Sequence, residues 1–184
     1  NGATITFGPN YVVGTTVQST PFTIQTDDVY KDGETYEITV ASTTGGNFEN
    51  LVTTDKATVT VTDTKDTTTL TLNDVSVNEG TGTATVGGSL DYAPQTTLVV
   101  TLSNGATITF EPNYVVGTVV QSTPFVIQTD DVYKDGETYT LTVASTIGGN
   151  FENLVTTDTA KVTISDITEG RTLALNDVSV NEGT

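Results

Sequence analysis

Residues 98–110 read LVVTLSNGATITF, and this stretch decides the fold class. Apolar residues occupy every second position on both sides of a central Asn104-Gly105 pair: Leu98, Val100 and Leu102 before it, and Ala106, Ile108 and Phe110 after it. A period of two is typical of a strand that buries one face, and Asn-Gly favours a tight hairpin turn. The stretch therefore predicts two antiparallel strands that share one buried face.

The same period extends on both sides of this hairpin. The predicted inward sets are Ala84, Val86, Leu90 and Tyr92; Phe125 and Ile127; Tyr139, Leu141 and Val143; and Ala160, Val162 and Ile164. The apolar residues Leu70 and Leu72 occupy even positions, whereas Val75 and Val77 occupy odd positions. This shift in the phase of the alternation predicts a first strand that bends and changes sheets. About seven short strands in roughly 100 residues, with no helical period, predict an all-β, immunoglobulin-like (Greek-key) β-sandwich.

An internal repeat sets the domain organisation. Residues 1–81 align with residues 104–184 without a gap at an offset of 103, and most positions are identical. A period of about 100 residues is the size of a domain, so we expect a tandem array of near-identical sandwiches. Apolar alternation stops at 62–69 and 165–171. We therefore predict the C-terminal part of one repeat at 1–63, a complete repeat at 68–166, and the N-terminal strand of the next at 168–184.

The composition excludes several classes of function. The chain has 184 residues, with 23 Asp and Glu against 6 Lys and Arg, and a formal net charge of −17. This charge repels nucleic acid and anionic membrane surfaces, so neither is an expected partner. The chain has no His, Cys, Met or Trp, which excludes thiol catalysis, Ser-His triads, disulfides and ordinary zinc sites. We do not expect the chain to be an enzyme. No stretch is apolar enough for membrane insertion. Calcium, a hard cation with oxygen ligands, remains the candidate metal.

The acidic residues form clusters. In a sandwich of this kind the first turn, the loop before the sixth strand and the exit of the last strand share one pole, where carboxylates would repel by an amount on the order of several kcal/mol. Calcium would remove that repulsion. The predicted ligands in the complete repeat are Glu79, Asp130, Asp131, Asp135 and Asp166, with Glu137 and Glu169 beside them. In the preceding repeat they are Asp27, Asp28, Asp32 and Asp63, with Glu34 and Asp66 beside them.

Other interpretations of these residues remain open. The acidic residues could simply lie in loops and keep the protein surface soluble. Their spacing matches neither an EF-hand nor a nonapeptide calcium repeat. Tyr92, Tyr114 and Tyr133 could form a sugar-binding platform. The loop at 148–153 could bring Asn150 and Glu152 to the opposite pole, or it could be a turn that packs Phe151 on the core. Asp130 and Asp131 lie on one turn rather than across a cleft, which disfavours glycosidase chemistry.

Three segments carry a resemblance to a known family. VSVNEGTGTATV (75–86), QTDDVYKDGETYTLTVAS (128–145) and GGNFENL (148–154), with the repeat length, resemble the extender repeats of giant RTX adhesins, the LapA-type surface proteins exported by type I secretion. The resemblance covers essentially the whole chain and includes no catalytic motif. It implies an Ig-like fold, calcium at the domain junctions and a stalk that projects adhesive modules from a bacterial cell during attachment and biofilm formation.

The expected function follows from these observations. We expect a non-catalytic structural extender, extracellular on the bacterial cell surface, that calcium ions make rigid. Its expected partners are calcium and the neighbouring repeats of the same chain. Two alternatives are kept: a carbohydrate- or protein-binding module, and a self-associating extracellular filament or matrix subunit in which copies of the chain complete one another.

Overall fold

A computed structural model describes residues 1–183 and divides the chain into two compact units, the first at Asn1–Asp66 and the second beginning at Thr67. The first unit has two strands, β1 (Glu34–Thr39) and β2 (Lys56–Val61), which pair antiparallel with Glu34 opposite Val61. Most of its side chains are exposed. Thr184, the last residue of the predicted third segment, lies outside the described residues.

The second unit contains the other twelve strands of the described chain. They are β3 (Thr67–Leu72), β4 (Val75–Asn78), β5 (Thr83–Ala84), β6 (Gly87–Leu90), β7 (Leu98–Leu102), β8 (Thr107–Phe110), β9 (Val120–Gln121), β10 (Phe125–Val126), β11 (Thr138–Leu141), β12 (Val143–Ile147), β13 (Asn153–Val155) and β14 (Ala160–Ser165). Residues 1–183 contain no helix, and therefore none that could span a membrane.

Two layers form the sandwich of the second unit. One contains the sheet β13-β3-β6-β9 and the short pair β10-β5, and the other contains β11-β14-β4 and β12-β7-β8. Only Thr142 separates β11 from β12, so one stretch of chain serves both sheets of the second layer. The predicted all-β, Ig-like sandwich is confirmed. The predicted hairpin is also present, with Leu98 opposite Phe110 across β7 and β8.

The first strand changes layers, as its shift of phase predicted. β3 pairs with β6 and, in parallel, with β13, whereas β4 pairs in parallel with β14. Two carboxylates hold the bend between β3 and β4. The Leu72 amide donates a hydrogen bond to Asp158 Oδ2 at 2.8 Å, and the Lys161 amide donates to Asp74 Oδ1 at 2.7 Å. The backbone groups released at the crossover thus find side-chain partners.

The core lies between the layers and follows the predicted alternation closely. The buried members of the predicted sets are Leu70, Leu72, Ala84, Val86, Leu90, Leu98, Val100, Leu102, Ala106, Ile108, Phe110, Ile127, Leu141, Ala160, Val162 and Ile164. The prediction that Tyr92 points into the core is wrong, because Tyr92 is 46% exposed. β6 ends at Leu90, and the chain turns away from the sheet before it reaches Tyr92. Phe151 is buried, in agreement with the turn interpretation of its loop.

Candidate metal centre

Backbone hydrogen bonds bring three separate segments together at one end of the second unit. The Glu79 amide, just after β4, donates to the Ser165 carbonyl at 3.0 Å, and the Gly80 amide donates to the Gln128 carbonyl at 3.2 Å. Glu137 and Ile164 exchange a pair of backbone bonds at 3.0 and 2.8 Å. The turn after β4, the loop before β11 and the end of β14 therefore share one pole.

Glu79 is the most unusual residue of this pole. Its side chain is 0% exposed, although Glu is almost never fully buried without a partner. Oε1 accepts a hydrogen bond from the Ile167 amide at 2.8 Å, whereas Oε2 is buried and has no hydrogen-bond partner in the described part of the chain. A buried carboxyl group of this kind needs either a proton or a compensating positive charge.

Two further carboxylates face Glu79. One oxygen from each of Glu79, Asp135 and Asp166 lies within 4.8 Å of the other two. Asp166 Oδ1 is also buried without a hydrogen-bond partner in residues 1–183, whereas Asp135 is exposed. Three acidic residues that each offer an oxygen, two of which also have a buried oxygen without a hydrogen-bond partner in residues 1–183, fit a hard divalent cation such as Ca²⁺. They do not fit zinc, which prefers nitrogen and sulfur ligands.

The electrostatics of the pole agree with this geometry. The hydrogen bond from the Ile167 amide lowers the pKa of Glu79, but burial and the carboxylates of Asp166 and Asp135 together raise it above its ordinary value. Burial, and then Asp130, raise the pKa of Glu169. In both cases the ionised form is less favoured than in an isolated carboxyl group, so a cation at this pole would stabilise it.

Gly136 allows two of the segments to approach. A Cβ atom at this position would lie 2.9 Å from the Ile164 carbonyl oxygen and 3.0 Å from the Asp166 amide nitrogen. A side chain there would push the loop that holds Asp135 away from the end of β14. The Asp-Gly dipeptide is therefore part of the site's construction, although Gly136 supplies no ligand.

The structure separates the predicted ligands into groups. Glu79, Asp135 and Asp166 come together, and Asp130 interacts with Glu169 beside them. Asp131 does not join the triad. Its Oδ1 accepts a hydrogen bond from the Tyr133 amide at 2.7 Å, which closes a local turn. Glu137 is exposed, and its charge acts on Tyr139, whose pKa is raised first by burial and then by this carboxylate.

The first unit contains part of the same arrangement. Asp32 and Asp63 correspond to Asp135 and Asp166 at the offset of 103, and the Asp32 amide donates to Asp63 Oδ2 at 3.0 Å. Asp28 accepts from the Tyr30 amide at 2.8 Å, as Asp131 does from Tyr133. Asp27, Glu34 and Asp66, also predicted as ligands, belong to no group of three acids in the described residues.

The sequence analysis missed two features of the site. The Ile167 amide holds the Glu79 carboxylate, and a backbone donor cannot be recognised from residue type. The role of Gly136 could have been inferred from the Asp-Gly dipeptide within an acidic loop. The second unit is therefore an Ig-like β-sandwich with an acidic triad at one pole, in which Glu79 is buried, Asp166 is half-buried and Asp135 is exposed.

The family of this chain follows from comparison with known proteins. The model of the LapA domain family matches residues 1–64 and 66–168, so the chain belongs to that family. Membership indicates an adhesin-related role, at the cell surface or outside the cell, and to this extent it confirms the resemblance seen in the sequence. A search of curated proteins gives no match.

Proposed function

We propose that this chain is a non-catalytic extender segment of a bacterial surface adhesin, in which calcium fixes the end of each sandwich. The observation that carries the proposal is the state of Glu79: a fully buried carboxylate with an unpartnered oxygen, within 4.8 Å of oxygens from two other acids. The LapA family membership supports the adhesin part of the proposal.

Each ligand comes from a different segment of the second unit. Glu79 follows β4, Asp135 lies in the loop before β11, and Asp166 follows β14. Calcium, when bound, supplies the positive charge that this pole lacks. Asp130 and Glu169 lie beside the triad and would form its outer part.

A cation bound at this site would act on the next repeat through the residues that follow β14. Glu79 already holds the Ile167 amide, one residue after Asp166. A triad fixed by a cation would therefore also fix the first residues that leave the sandwich, and a series of such junctions would give a stiff stalk. The proposed partners are calcium and neighbouring repeats.

The proposed location is the bacterial cell surface. Extracellular calcium modules commonly bind with dissociation constants of about 10⁻⁴–10⁻³ M. Sites of that affinity are filled outside a cell and largely empty inside it. Calcium binding would therefore take effect after secretion, when the stalk is needed for attachment and biofilm formation.

Calorimetry with a matched variant tests this proposal. We expect calcium to raise the melting temperature of the second unit, and magnesium to do so much less. Glu79→Gln should remove most of the calcium effect. Glu111→Gln is the control, because Glu111 is exposed and accepts a hydrogen bond from the Thr97 hydroxyl instead. An equal response to calcium in wild type and Glu79→Gln would reject the site.

A further inference from the structure

Two dipeptides of the second unit have a sequence that favours closure of a side chain onto the main chain. Asn104-Gly105 lies at the tip of the hairpin between β7 and β8, and Asp135-Gly136 lies in the loop before β11. In each, the nitrogen of the glycine can attack the side-chain carbonyl carbon of the residue before it and form a succinimide ring. Glycine obstructs this attack least, because it has no Cβ. In a folded protein the reaction requires that the nitrogen and the side chain are free to meet.

The hairpin holds Asn104-Gly105 in an unreactive arrangement. The Gly105 amide donates a hydrogen bond to the Leu102 carbonyl at 2.9 Å, and Asn104 Oδ1 accepts one from the Ala106 amide at 3.1 Å. Both reacting groups are engaged, so the attack would first have to break the turn that joins β7 to β8. We therefore expect folding to protect this dipeptide.

Asp135-Gly136 has neither restraint. Both residues are exposed, and the Gly136 amide has no hydrogen-bond partner in residues 1–183. The Asp135 carboxylate accepts no hydrogen bond in that part of the chain either, and lies near Glu79 and Asp166 without a bond that fixes it. The nitrogen and the carboxyl carbon of this dipeptide are therefore free to react.

We propose that Asp135-Gly136 is a modification site, at which the calcium-free protein forms isoaspartate. The Gly136 nitrogen loses its proton and bonds to Cγ of Asp135, while one carboxyl oxygen takes that proton and another from the solvent and leaves as water. Water then opens the ring and one proton returns to the solvent. Opening at Cγ restores aspartate, whereas opening at the main-chain carbonyl leaves the main chain running through Cβ and Cγ. Water is the only co-reactant, and nothing is oxidised or reduced.

Isoaspartate at this position would dismantle the acidic triad. The main chain becomes one methylene group longer just before Gly136, where the loop has least room. A Cβ on Gly136 would already lie 2.9 Å from the Ile164 carbonyl oxygen and 3.0 Å from the Asp166 amide nitrogen. The loop must therefore move away from the end of β14, and the free carboxylate is now attached directly to Cα. We expect the modified unit to lose the oxygen that Asp135 offers beside Glu79.

Bound calcium would protect the dipeptide. A carboxylate that a cation holds beside Glu79 and Asp166 cannot turn towards the Gly136 nitrogen, so only the empty site reacts. The rate should follow the fraction of empty sites and fall about tenfold when the calcium concentration is about ten times the dissociation constant. This protection rests on the proposed function above, whereas the formation of isoaspartate in calcium-free protein does not. The site is thus durable while it is filled and is lost progressively while it is empty.

Peptide mapping of the complete chain after incubation in calcium-free buffer tests the modification. In water enriched in heavy oxygen each ring opening leaves a labelled oxygen in the residue, and electron-transfer fragmentation distinguishes isoaspartate from aspartate. Each rate is divided by the rate in a synthetic peptide of the same sequence, residues 101–108 or 132–139. We expect folding to slow the reaction at Asp135 about tenfold less than at Asn104. Equal protection of the two dipeptides, or no isoaspartate at position 135, would overturn the proposal.

Asp135→Glu is the matched control for the chemistry. The variant keeps the carboxylate, but its longer side chain would have to close a six-membered ring, which forms much more slowly. We expect neither labelled oxygen nor a rearranged main chain at position 135 of this variant. Label that enters the variant as fast as wild type would show that the oxygen exchanges by another route, and would overturn the assignment.

Calcium separates this inference from the proposed function. Wild type that has formed isoaspartate should lose the calcium-induced rise in melting temperature of the second unit, and a full rise would overturn the loss of the triad. If calcium raises the melting temperature but does not slow the labelling of Asp135, the protection fails. If calcium changes neither property, the calcium function fails, whereas isoaspartate at position 135 still supports the modification.

Discussion

The Ile167 backbone amide donates a hydrogen bond of 2.8 Å to Glu79 Oε1, and this bond links the turn after β4 to the residues that follow β14. The two residues are 88 positions apart. Oε1 of Glu79 accepts this bond, Oε2 is buried without a hydrogen-bond partner in residues 1–183, and one oxygen of the carboxylate lies within 4.8 Å of oxygens from Asp135 and Asp166. Glu79 therefore couples the proposed cation site directly to the path of the chain leaving the sandwich.

The raised pKa of Glu79 predicts how the calcium-free protein responds to pH. A raised pKa means that the folded state binds the proton more tightly than the unfolded state. The contribution of Glu79 to stability should be fully present below the ordinary value of 4.5 and should be lost as the pH rises through the pKa of the folded state. Chemical denaturation of calcium-stripped protein between pH 4 and pH 8 measures this, and Glu169, also raised, adds in the same direction.

Glu79→Gln provides the control for that pH dependence. The amide keeps an acceptor for the Ile167 N–H but carries no charge beside Asp135 and Asp166. The calcium-free variant should be more stable than wild type at pH 7, and its stability should vary less between pH 4 and pH 8. With calcium present the order should reverse. A variant that is less stable than wild type in both conditions would show that Glu79 has only a structural role.

Asp135 and Asp131 should differ in their effect on calcium binding. Asp135 contributes an oxygen to the triad, whereas Asp131 Oδ1 is used by the Tyr133 amide. We expect Asp135→Asn to weaken calcium binding about tenfold, or 1.4 kcal/mol, and Asp131→Asn to change it much less, as titration calorimetry can measure. Equal losses would place Asp131 among the ligands.

The alternation of apolar residues was sufficient to predict the core, because the two faces of a strand differ strongly in burial. It predicted the inward sets of β7, β8 and β14 without error. It failed at Tyr92, because a period of two does not show where a strand ends. The shift of phase between Leu72 and Val75 predicted the change of layers, since only a bend can bury both sets.

The site was predicted less completely than the core. Topology predicted that three segments meet at one pole, but it could not rank the acids within a loop. Asp131 and Asp135 lie in the same loop, and only the local turn that Asp131 forms with Tyr133 separates their roles. The complete burial of Glu79 was also not predictable, because it depends on the Ile167 amide and on how closely the loops pack around it.

Gly148 should be far more sensitive to substitution than Gly105. Both residues have positive φ angles, 88° and 86°, which cost a side chain about 1–2 kcal/mol. A Cβ at Gly148 would also lie 2.0 Å from the Thr97 carbonyl oxygen, whereas a Cβ at Gly105 would meet nothing within 4 Å. We expect urea denaturation to show a loss of about 1–2 kcal/mol for Gly105→Ala and about 2–5 kcal/mol for Gly148→Ala. Similar losses would contradict the close approach.

Thr68→Val should stabilise the second unit. Thr68 lies in β3 opposite Leu154 of β13, is 0% exposed, and its hydroxyl has no hydrogen-bond partner in the described residues. Valine has nearly the same shape and suits a strand, so the exchange removes a buried polar group without leaving a cavity. We expect a gain of about 1 kcal/mol in urea denaturation. Thr71→Val is the control, because Thr71 is exposed on the same strand and should change stability by less than about 0.5 kcal/mol. A loss of stability in Thr68→Val would mean that the hydroxyl has a partner, and would require a different account of how β3 packs.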